Sequence, residues 1–84
     1  MPYISENMRG KFDLYLDAIY TIDTKGELEY CIFKLMKKYM KHKEFKYTEL
    51  HNCVYASMHC ADEFRRRFLD EREDEARDKN GDIK

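Results

Sequence analysis

The stretch "TELHNCVYASMHCADEFRRRFLDEREDEARDKN", from Thr48 to Asn80, contains neither proline nor glycine. Nothing in it stops a helix, and one face gathers Leu50, Val54, Ser57, Ala61, Phe64 and Phe68 at the three- and four-residue spacing of 3.6 residues per turn. Cys53, Met58 and Cys60 lie at the margins of that face. Thr48 is the natural N-cap, and Asn80 with Gly81 forms the stop, since both tolerate the left-handed conformation that closes a helix. The spacing predicts a helix over 49–79, about 46 Å long at 1.5 Å per residue.

Two further helices lie upstream. "TKGE" from Thr24 is a capping box, with Thr24 bonding the amide of Glu27 and Glu27 reaching back. It opens a helix over 25–42 whose stripe is Leu28, Cys31, Ile32, Leu35, Met36 and Tyr39. Met8, Phe12, Tyr15, Leu16, Ile19 and Ile22 predict a first helix over 6–22, with Ser5 as N-cap and Gly10 weakening its first turn. Residues 1–84 therefore read as a single all-α domain, a short N-terminal helix packed on a long antiparallel helical hairpin. The second helix spans about 26 Å, so about 20 Å of the third has no partner in its own hairpin.

The overhanging segment is strongly charged. Asp70 to Asp82 carries seven acids and three bases, whereas Lys34 to Lys46 carries six lysines with Glu44 as its only acid. In an antiparallel hairpin the two blocks sit far apart against a screening length of about 8 Å, but they can meet between chains. A homo-oligomer is expected. Within the helix, Glu73 with Arg77 and Glu75 with Lys79 are acid-before-base pairs, offset by the like-charged pairs Asp70 with Asp74, Glu71 with Glu75 and Asp74 with Asp78.

Composition narrows the function. A net charge of −1 gives no general attraction to nucleic acid or membrane, and no run approaches the roughly 20 apolar residues of a membrane span. "MPYISENMRG" lacks a basic leader followed by an apolar core, so no export signal is expected. Cys31, Cys53 and Cys60 are odd in number and without C-x-x-C spacing, which fits structural thiols in a reducing cytoplasm. His51, Cys53, His59 and Cys60 share one helix without facing one another, so neither a nucleophile with its base nor a zinc site is indicated. Glu73 and Asp74 are adjacent on a helix and do not share a face. No phosphate loop is present. The expectation is a non-enzymatic protein with no cofactor and no metal.

"GELEY" at Gly26 to Tyr30, "EF" with two arginines at Glu63, Phe64, Arg66 and Arg67, "ED" at Glu73 and Asp74, and "NGD" at Asn80 to Asp82 resemble a small family of unassigned function found in bacteria, archaea and their phages. The family pattern is "GxLNY", "EFYRR", "PYED" and "ENGDV", and the likeness runs over residues 26–83. Here Glu29 replaces Asn, Arg65 replaces Tyr, and Glu71 with Arg72 replaces the Pro-Tyr pair that would end or bend the helix. The resemblance implies a genomic setting and a fold, but no activity. It marks Arg66, Arg67, Glu73, Asp74, Asn80, Asp82 and Tyr30 as candidate ligand- or partner-binding residues.

Three functions follow as expectations. The first is a phage-type accessory protein in the host cytoplasm, countering or modulating host defence by contact with a host protein. The second is an oligomeric sponge for an anionic cyclic nucleotide, with tyrosines stacking the base and Arg66 and Arg67 clamping phosphate. The third is a purely structural oligomerisation module. Arg67, one position before Phe68, is placed to border the apolar seam, and Arg66 points away from it.

Overall fold

The computed structural model describes residues 2–83, and every regular element within them is helical. Helix α1 is Glu6–Leu16, α2 is Lys25–Met40, α3 is Tyr47–Phe64 and α4 is Asp70–Asn80. A five-residue π-helical stretch, Arg65–Leu69, joins α3 to α4 without a break, so the last helix is long, as its lack of glycine and proline dictates.

The start of α2 is the capping box expected from the sequence. Thr24 Oγ1 accepts from the Glu27 amide at 3.0 Å, and Glu27 Oε1 accepts from the amides of Asp23 at 2.8 Å and Thr24 at 3.0 Å. The Asp23 amide, followed by that of Thr24, holds the Glu27 carboxyl below the usual glutamate range. Forming this box requires extended backbone at Thr24, and it bears on α1 as well. The first helix stops at Leu16 rather than at residue 22, with the Asp17 amide bonded to Asp13 O at 2.8 Å and the Ile19 amide to Leu16 O at 3.1 Å. Ile19, Thr21 and Ile22 are β-branched and favour leaving a helix. Ser5 holds the N-cap position with extended backbone, but its side chain makes no capping bond.

At the other connection, the structure corrects the cap of α3. Its N-cap is Lys46, whose carbonyl accepts from the Leu50 amide at 3.0 Å, and Thr48 lies inside the first turn. The residues before it are fixed locally: Lys43 Nζ bonds Tyr39 O at 2.9 Å and lies 3.9 Å from the Tyr39 ring centroid, and Lys46 pairs with Glu44 at 2.7 Å. The far end closes as expected at Gly81, which has φ of 90° and donates its amide to Arg77 O at 2.8 Å.

Helices α2 and α3 touch where the Cys53 thiol approaches Met36 O at 3.7 Å. Among the described residues only Met40, at 4% exposure, and Cys53, at 6%, are buried. The expected packing of the first helix on the other two is not made within the chain: α1 buries no residue, and Met8, Phe12 and Leu16 stay open. The chain exposes 8164 Å², roughly half as much again as a folded monomer of 10.3 kDa presents. Its radius of gyration, 16.6 Å, compares with about 12 Å for a compact domain of this length.

Candidate functional site

The π-helical stretch carries the three arginines. Its last bond runs from the Asp70 amide back to Arg65 O, five residues earlier, so the turn holds one residue more than α-helix geometry provides. Each arginine goes to a different partner. Arg65 lies 3.7 Å from the Asp62 carboxylate. Arg66 places both Nε and an NH2 group 2.6 Å from Glu63 Oε1, and the Glu63 side chain is nearly covered. Arg67 donates to the Tyr3 hydroxyl at 3.1 Å and sits 5.4 Å from the Phe68 ring centroid, in line with its expected place beside the seam. Phe64 and Phe68 stack at 4.8 Å, yet they are 66% and 52% exposed.

The other candidates spread out from this cluster. Asp74 lies 3.8 Å from Arg77, which also approaches Asp78, so the anticipated pairing of Arg77 with Glu73 is replaced by shorter-range contacts. Asn80 is the last residue of α4, and the Asp82 carboxylate accepts from the Ile83 amide at 2.8 Å. Tyr30, on α2, is exposed and forms no hydrogen bond with Arg66 or Arg67 among the described residues; the tyrosine at the arginines is Tyr3. No periodicity could have found Tyr3, because it precedes the first helix and meets Arg67 across 64 positions of sequence.

Tyr30 instead borders a groove of about 540 Å³ between the end of α1 and one side of α2. Leu16, Ile19, Tyr30 and Leu35 supply its apolar floor. Lys34, Lys37, Lys38 and Lys41 rim it, at positions that helical geometry brings to neighbouring faces. Among the described residues none of these four lysines pairs with a carboxylate within 4.0 Å.

A family model for a domain of unknown function, DUF6899, matches residues 1–83. The chain belongs to this family. The DUF6899 match begins at residue 1 and so takes in α1 and Tyr3 as well as the region from residue 26 onward. No curated protein and no solved structure matches the chain.

Two further features of this DUF6899 domain complete its surface. Tyr47, His51, Tyr55 and His59 stack in a row along α3, with ring centroids 5.3, 4.1 and 5.9 Å apart, on the side of the helix away from Cys53. All three cysteines are free thiols, with Cys53 buried, Cys31 half-buried and Cys60 exposed. Among the described residues no three His, Cys, Asp or Glu side chains gather as a metal site, and no helix is long and apolar enough to cross a membrane.

Proposed function

We propose that this protein acts by binding, as a self-assembling helical module rather than an enzyme, with α2 and α3 forming an antiparallel hairpin and copies of the chain covering one another. The observation that carries this reading is the near absence of a core: the two buried side chains among the described residues cannot offset the conformational entropy of ordering the chain, whereas another copy can cover the open faces of α1 and α3. The motif resemblance supplies the setting, a phage or prokaryotic accessory role in a host cytoplasm. There the charged end of the long helix meets partner proteins, a host factor of a defence pathway among them.

Light scattering at tens of micromolar tests the assembly. A dimer or larger species is expected, weakening as salt rises because the lysine and carboxylate blocks are exposed. A monomer at that concentration refutes the reading.

Sequestration of an anionic nucleotide is the second reading. Tyr30 and the lysine rim support it better than Arg66 and Arg67 do, since Arg66 is engaged by Glu63 and Arg67 by Tyr3.

A further inference from the structure

Two surfaces of the chain lack partners of the right chemistry. The groove has an apolar floor and a cationic rim, so what fills it must combine an apolar body with several negative charges. The segment just beyond the arginines has that make-up. Phe68 and Leu69 stand open, and Asp70, Glu71 and Glu73 follow, none of the three within 4.0 Å of a cation among the described residues. Phe68 shares a helix side with Glu71, and Leu69 with Glu73.

Within one chain these surfaces cannot meet. Met36 lies against Cys53, and Lys34, Lys37 and Lys38 are within two positions of Met36. Asp70 is seventeen residues past Cys53 on one continuous helix, about 25 Å away at 1.5 Å per residue. That distance is about three screening lengths at physiological salt.

We propose that the segment Phe68–Glu73 of one copy docks in the groove of a second copy, with Phe68 and Leu69 against Tyr30 and Leu35 and the carboxylates among Lys34, Lys37 and Lys38. The inference rests on the self-assembly reading and names the surfaces that perform it. Groove and segment are different patches, so the contact is heterologous: each copy offers one of each, and the series either closes into a ring or continues as a filament.

The test uses an equal mixture of light and nitrogen-15-labelled full-length chains treated with a carbodiimide, which joins amines to carboxylates in contact. Mixed-isotope peptides linking Lys34, Lys37, Lys38 or Lys41 to Asp70, Glu71 or Glu73 are expected. Two charge-reversed chains extend it, one with Lys34→Glu, Lys37→Glu and Lys38→Glu, the other with Asp70→Lys, Glu71→Lys and Glu73→Lys. Each alone should self-associate at least about tenfold more weakly by sedimentation, and a one-to-one mixture should recover association, because each restores the charge complement of the other. A wild-type assembly that yields no such links, or reversed chains that associate like wild type, overturns the docking while leaving self-assembly standing. A wild-type monomer overturns both. Reversal of the lysines that abolishes binding of a cyclic dinucleotide but leaves assembly intact gives the groove to the nucleotide and also overturns the docking.

Discussion

Thr24 and Glu27 each satisfy a backbone amide that would otherwise be unpaired at the start of α2. Replacing Thr24→Ala should cost about 1 kcal/mol in urea unfolding at fixed protein concentration. Because Glu27 titrates below its ordinary value when the box is closed, its contribution is fully present above the ordinary glutamate pKa. It is lost as pH falls through the lowered value. Acid titration of wild type should therefore show destabilisation below the usual carboxylate range that Glu27→Ala lacks in part. At the same scale, Cys53 is the buried thiol and Cys60 an exposed one. Cys53→Ala should lower stability by about 1 kcal/mol through lost packing, whereas Cys60→Ala should change it by less than about 0.5 kcal/mol. Equal effects at both sites would assign Cys53 no packing role. The capping box was legible in the sequence because it depends on a three-residue spacing. The partner of Arg67 was not, since a contact between Tyr3 and the π-helical stretch has no local signature.

Among the elements, the π-helical stretch is the feature that the pattern of residues did not announce. An extra residue in one turn offsets the apolar positions beyond it by a single place, too little for a short charged segment to reveal, and neither glycine nor proline marks it. Its effect falls on α4, whose carboxylates sit about 100°, the turn of one residue, back from where an unbroken α-helix of the same sequence would carry them. Deleting Arg65 should close the helix as plain α, keep the circular dichroism of wild type and leave Asp70, Glu71 and Glu73 on their present side of α3, because four residues then span the turn that five span now. The expected result is retention of the intermolecular links to Lys34, Lys37 and Lys38; their loss would mean that the extra residue itself takes part in assembly. The existence of the helices was written in their periodicity, but the limit of α1 was not. Ile19 and Ile22 continue the apolar spacing of that helix, yet the extended entry to Thr24 takes the chain out of it first.

At the scale of the molecule, the apolar rows that sequence reading assigned to an internal core lie largely at the surface. Periodicity tells which side of a helix seeks cover and is silent on whether the cover comes from the same chain. For the same reason the candidate site was only partly readable: the charge blocks were plain, whereas the pairing of Tyr30 with the lysines depended on how α1 ends beside α2. So small a buried core among the described residues has one further consequence. If copies of the chain cover one another as proposed, its folded fraction follows mass action, rising with the number of copies made and falling on dilution. Translation yield would then act as a threshold, with chains below it open to proteases and chains above it persisting, so that the onset of binding would measure gene dosage rather than any signal received.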